Sequence, residues 1–298
     1  MILLIANDGP LGPEWLDHAL TGLHAEAPGA AVDTVGASPN DSQITRGDDA
    51  MLLNTPTGFA QHHPWDRSFF PLTVAVIWVV IMLGFVPDIM RHVASDEPDY
   101  PLIIHIHAVA FVGFLVLLSV QVALIRGRRY VVHRRLGAFG GALALAMVVL
   151  GPWAAIVSEQ VHFGTKLGDP PFLSVEFIEM IVFALQVGLA IWLRRDAAAH
   201  KRLMLLGTLF LTTAGFGRWL ADPLQALLGD GFLPFLAEFF GGTIFLVVGL
   251  GTYDIITRHR LHPAYVAGAS LGIASEVLAA WLYVDPAWKA VSLRIIGH

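Results

Sequence analysis

Residues 105–137 read HIHAVAFVGFLVLLSVQVALIRGRRYVVHRRLG, and their pattern decides the fold. Two histidines open an apolar run long enough to cross a hydrocarbon core, which takes about 20 helical residues at about 1.5 Å each. The run leaves the membrane in an arginine block closed by His-Arg-Arg-Leu-Gly. A helix is required there, because the bilayer core holds no water to pair exposed peptide groups. Further on, an apolar run beginning near Glu176 passes Arg194 and Arg195 and reaches His200, where the chain reads His-Lys-Arg-Leu-Met. Working outward from these two stretches, seven apolar runs cover 70–86, 103–125, 136–157, 173–193, 203–220, 232–250 and 264–284. The expected fold is an all-α polytopic transmembrane helix bundle with seven spanning helices.

Composition agrees. Hydrophobic residues make up 55% of the 298, charged residues 14%, and mean hydropathy is +0.64, which is too apolar for a soluble domain of this size. The net charge of −6 arises almost wholly in the first 50 residues, where eight carboxylates face Arg46 alone; the remainder carries 17 Lys and Arg against 16 Asp and Glu. No basic patch for nucleic acid exists, and the partner surface implied is the lipid bilayer. The absence of cysteine excludes disulfides, thiolate metal sites, iron–sulfur clusters and covalent c-type haem.

Residues 1–68 are rich in Gly, Pro, Asp, Ser and Thr, a composition expected of a flexible cytoplasmic N-terminal tail ahead of a membrane domain over 69–298. The opening apolar burst, residues 1–6, has no basic segment before it and makes a poor signal peptide. His62-His63-Pro64-Trp65-Asp66-Arg67 precedes the first run, where Trp and Arg suit the membrane–water interface. Orientation follows from the loops. The second, fourth and sixth connections hold eleven basic residues (Arg126, Arg128, Arg129, Arg134, Arg135, Arg194, Arg195, Lys201, Arg202, Arg258, Arg260), and the other three hold Arg91, Lys166 and Arg218. The excess of cations on the cytoplasmic side of short loops places the N-terminus inside and the C-terminus outside.

The two histidine stretches align. Setting His133 on His200 pairs Leu136 with Leu203 and Gly140 with Gly207, then Gly151-Pro152-Trp153 with Gly217-Arg218-Trp219 after a one-residue slip, and Gln121 with Gln186 after a two-residue slip upstream. The second and third spans thus read as one copy, and the fourth and fifth as another copy, of a hairpin repeated with the same orientation.

Polar residues sort by depth. His105, His107, Glu176, Glu179, Arg218 and Glu238 fall toward the outer surface, and ionisable residues within spans face the bundle and mark proton, ion or substrate sites, or pair with one another. Glu176 and Glu179 share a helix face, whereas His105 and His107 stand about 200° apart around their helix, so His107 is the one expected to face the carboxylates. His107 with Glu176 and Glu179 has the chemistry of a metal site or a proton relay; the other reading is a buried ion pair in which Arg218 neutralises Glu179 or Glu238. On the inner side, His133 and His200 each precede two cations. They read as boundary residues beside snorkelling cations, or as two axial ligands of a b-type haem in a slot lined by Leu136, Gly140, Leu203 and Gly207, or as a metal or quinone-headgroup site.

The His-Arg-Arg-Leu-Gly and His-Lys-Arg-Leu-Met motifs, after a His-x-His helix, resemble a group of uncharacterised bacterial multi-pass membrane proteins. The paired hairpins are also similar to small four-helix membrane proteins of cytochrome c oxidase assembly. That resemblance covers residues 103–219; the first, sixth and seventh spans and the tail depart from it. It implies a bacterial inner-membrane protein with a role in haem, copper or respiratory-chain handling, respiratory-chain components as partners, and His105 or His107, His133 and His200 as site residues. A retinal protein is excluded because the seventh run has no lysine for a Schiff base, and neither G-x-S-x-G nor H-E-x-x-H occurs. Three classes stand: a haem- or metal-binding redox or assembly protein, a proton-coupled carrier using the outer carboxylates, and a structural accessory subunit.

Overall fold

The computed structural model describes residues 59–95, 99–165, 167–229 and 231–298; of the tail expected over 1–68, residues 1–58 lie outside the described residues. Among these, nine α-helices form: α1 Asp66–Val93, α2 Leu102–Arg126, α3 Tyr130–His162, α4 Leu173–Trp192, α5 Ala197–Phe210, α6 Thr213–Leu228, α7 Phe232–Arg258, α8 Pro263–Val284 and α9 Pro286–Ile296. A 3₁₀ turn, Pro170–Phe172, precedes α4. Among the described residues six helices are long and apolar enough to span a bilayer, and seven spans result if α5 and α6, bent by 41° at their junction, are counted together as one. Helix starts follow local chemistry. The Asp196 carboxylate accepts from the N–H groups of Ala198 (2.9 Å) and Ala199 (3.1 Å) to cap α5, and Asp285 caps α9 at Trp288 N–H (2.9 Å) ahead of Pro286.

The break between α5 and α6 departs from the unbroken run expected over 203–220, and its cause is local. At the bend, Leu211 and Thr212 donate three residues back, to Thr208 and Leu209 carbonyls, so helical pairing is interrupted. Threonine hydroxyls offer the backbone an alternative partner: Thr212 donates to Leu209 O (2.6 Å), and Thr213 to Phe210 O (3.1 Å). Thr243 of α7 stands 3.1 Å from both hydroxyls, so the polar groups freed by the bend stay satisfied inside the bundle, as a membrane interior demands. The second copy of the sequence repeat is therefore not continuous like the first: α3 runs 33 residues unbroken through Pro152.

The interior is organised on α4, which packs against α3, α5 and α8, while α8 also meets α5 and α7, and α1 lies against α2 and α6. The main core gathers Phe70, Ile77, Leu115, Leu206, Leu209, Phe210, Val247 and Tyr253, with Val79, Leu145, Phe245 and Trp281 exposed on the outer faces, where lipid would cover them. Where α1 meets α6, a Cβ on Gly84 would collide with the Gly215 backbone; small residues here let two helices approach more closely than any side chain permits. The turns at 127–129, 193–196 and 259–262 share one end, hereafter the basic end. The opposite end carries α9, tied down by the Trp288 indole N–H to Pro171 O (2.8 Å) and the Gln160 amide to Ile296 O (3.2 Å).

Candidate functional site

Two contacts hold α4 against α8. Near the end opposite the basic one, the Ser174 hydroxyl donates to Ala279 O (3.0 Å). Nearer the basic end, the Gln186 amide donates to Gly268 O (3.2 Å). Between them, Glu179 of α4 and Glu276 of α8 line one small void of about 10 Å³ together with Val182, Phe210 and Ser275, about the room that one water needs. Its floor exists because Gly272 admits the Phe210 ring: a Cβ at 272 would overlap it. Glu276 is 4% exposed, and neither of its carboxyl oxygens has a hydrogen-bond partner; Glu179 Oε1, Glu176 Oε2 and His107 Nδ1 are buried and unpartnered as well. Glu276, on the seventh apolar run, thus joins the two glutamates picked out by sequence.

The other outer residues take separate places. His107 lies half-buried where α2, α3 and α4 meet, near Gly151 and Met180, and His105 is exposed beside Tyr100, ring centroids 6.5 Å apart. Among the described residues no three His, Asp or Glu side chains converge as a metal-ligand set, so the expected set of His107, Glu176 and Glu179 is not assembled. Arg218 makes its ion pair with Asp88 of α1 (3.4 Å), donates to Ala214 O (2.9 Å) and lies over the Phe85 ring; the carboxylate it engages belongs to neither α4 nor α7. Glu238 is buried on α7.

At the basic end, His133 and His200 are each the fourth residue of their helices and stand with ring centroids 6.3 Å apart and planes nearly perpendicular. His200 Nδ1 bonds Ala190 O at 2.8 Å, leaving Nε2 as its free nitrogen, whereas His133 Nδ1 is buried without a partner. The slot expected for a flat macrocycle is filled. Space above Gly140 is taken by Leu117 and above Gly207 by Val187, each close enough to crowd even a methyl group, with Gln186 in ordinary contact beside it. These residues do not fit a haem.

The same end holds a network that sequence reading missed. The Asp66 carboxylate accepts from Arg258 (2.9 Å to each oxygen), Lys201 (2.7 Å) and the Tyr253 hydroxyl (2.5 Å). Arg202, fully buried, grips Asp254 with two bonds of 2.6 and 2.5 Å and donates to Ala198 O. The Phe59 ring lies against the Arg202 and Arg258 guanidinium groups (4.5 and 5.3 Å) and edge-on to His262 (4.6 Å). Phe59, Ala60, Gln61 and Asp66, from the last ten residues of the expected tail, thus contact the bundle. Beside them His262 faces Asp196 at 3.7 Å. Burial and then the Arg202 charge hold the His262 imidazole below its ordinary range. Burial opposes ionisation of Asp196, but the Ala199 N–H, the Gln61 amide and the Ala198 N–H outweigh it and keep that carboxyl below the usual carboxylate range. Lys201 and Arg202 read in sequence as cations snorkelling to the boundary, and Arg258 only as one of the basic loop residues that set orientation. The available signal was Asp254, one helical turn before Arg258.

No family model, no curated protein and no solved structure matches the chain.

Proposed function

We propose that the chain is a proton-coupled membrane carrier in which Glu276 and Glu179, with Glu176 a turn away, take up and release protons. The observation that carries this reading is the Glu276 carboxyl, buried with both oxygens unpartnered and facing the same water-sized void as Glu179. An isolated carboxylate in a spanning segment is very costly. The interior holds such a group as the neutral acid until water or a cationic substrate reaches it, and an acid that ionises only when wetted couples proton release to opening of the bundle. The bend between α5 and α6 lies beside this void, Phe210 at the end of α5 forming part of its wall, which supplies an element whose bending wets or dries the site. The infrared spectrum of the protein in lipid at neutral pH should contain a protonated carboxylic acid band that weakens in Glu276→Gln; an unchanged band would remove Glu276 from the reading.

The eleven-to-three distribution of cations supports a cytoplasmic basic end. With no native cysteine, Thr165→Cys should react with an impermeant thiol reagent from outside intact cells, and Tyr130→Cys only after lysis; the reverse pattern inverts the topology.

A second reading, a metal ion between His133 and His200 serving redox or respiratory-chain assembly, is favoured by the nearness of the two rings and by the Ala190 carbonyl on His200 Nδ1, the support that metal-ligating histidines ordinarily have. It expects copper or zinc in stoichiometric amount with the purified protein and its loss in His200→Ala; equal metal content in both would end it.

A further inference from the structure

We infer that the groove between α1 and α2 at the basic end binds one anionic phospholipid, its acyl chain along Trp78 and its phosphate between Arg67 and Arg126. The groove, of about 250 Å³, is lined on α1 by Pro71, Val74, Ala75 and Trp78, and on α2 by Ser119, Val122, Ala123 and Arg126. Each set repeats at three and four residues and so forms a single helix face. Its walls ask for an apolar occupant. The two polar groups in them are already used, the Trp78 indole donating to Ser119 Oγ (3.0 Å) and Ser119 to Leu115 O (2.8 Å). Its mouth asks for an anion. Arg126 closes the α2 side, Arg67 stands one turn before Pro71 on the same α1 face, both are exposed, and among the described residues neither guanidinium has a carboxylate partner.

An apolar trough capped by two cations, without carboxylate partners among the described residues, at the level of the helix ends matches the shape of a phospholipid: tail inward, phosphate at the boundary. Arginine presents a planar fork that suits a phosphate, and basic pockets between spanning helices are a recurrent place for acidic headgroups. The inference is independent of the carrier reading, because the groove lies on the outer face of α1 and α2 and shares no residue with the α4–α8 void.

The test uses the full chain in nanodiscs and the fluorescence of Trp78, isolated as the difference between the protein and its Trp78→Phe variant. Phosphatidylglycerol with brominated acyl chains should quench that component in preference to brominated phosphatidylcholine. The Arg67→Gln/Arg126→Gln variant should reduce the preference by about fivefold for each cation, about 25-fold together. Ala75→Phe, which fills the trough without adding a fluorescent indole and leaves both cations, should abolish the quenching by either lipid. Equal quenching by the two lipids, or a preference unchanged in the double variant, would overturn the proposal. Loss of the preference on adding inorganic phosphate would also overturn it, because the cations would then be holding a free anion.

Discussion

Asp254→Ala should destabilise the protein by about 3–5 kcal/mol, because it leaves the Arg202 guanidinium buried without its counter-charge. Both side chains are 0% exposed, so water cannot replace the lost partner. The third bond of Arg202, from Nη1 to Ala198 O, satisfies one donor but no charge. Arg258 would feel the loss too, since it stands 3.7 Å from Asp254 while it holds Asp66. Thermal unfolding in detergent should fall sharply for Asp254→Ala and return close to the parent value for Arg202→Met/Asp254→Leu, in which no charge is stranded. A small effect of the single change would mean that water enters this end and that the network is not the closure it forms in the structure.

Glu276→Met should act in the opposite direction on stability. Two buried oxygens without partners cost about 1–3 kcal/mol for each unsatisfied polar group, and an apolar chain of similar length removes that cost while filling the void beside Phe210. The melting temperature should rise. The same variant should abolish proton coupling, the exchange of stability for activity expected where a site keeps an unfavourable group for its chemistry. A fall in stability would instead show that Glu276 has a structural role.

The spans are legible in sequence because hydrocarbon imposes one backbone form and one length, and residues 70–284 carry that pattern directly. His133 and His200 are legible as neighbours because each opens its helix at the same step from an arginine-rich turn. What sequence does not disclose is which partner a polar group finds across the bundle. Asp66 reads as an interface residue, yet three groups from α5 and α7 converge on it, and no local spacing links residue 66 to 201, 253 and 258. Arg218 reads as the counter-ion of a glutamate, yet the Gly84–Gly215 approach brings α6 against α1 and so places Arg218 beside Asp88. Gly140 and Gly207 read as room for a ring, but helix packing gives that room to Leu117 and Val187. The bend at Leu211–Thr212 is also hidden, since two adjacent threonines in an apolar run signal a break only when Thr243 stands opposite.

Proton entry into proteoliposomes loaded with a pH-sensitive dye, driven by an imposed membrane potential, bears most directly on the carboxylates of α4 and α8. Vesicles with the parent protein should acidify faster than empty vesicles, and those with Glu276→Gln or Glu179→Gln should acidify no faster than empty ones. Acidification by either variant at the parent rate would contradict a proton-carrying role for the buried glutamates.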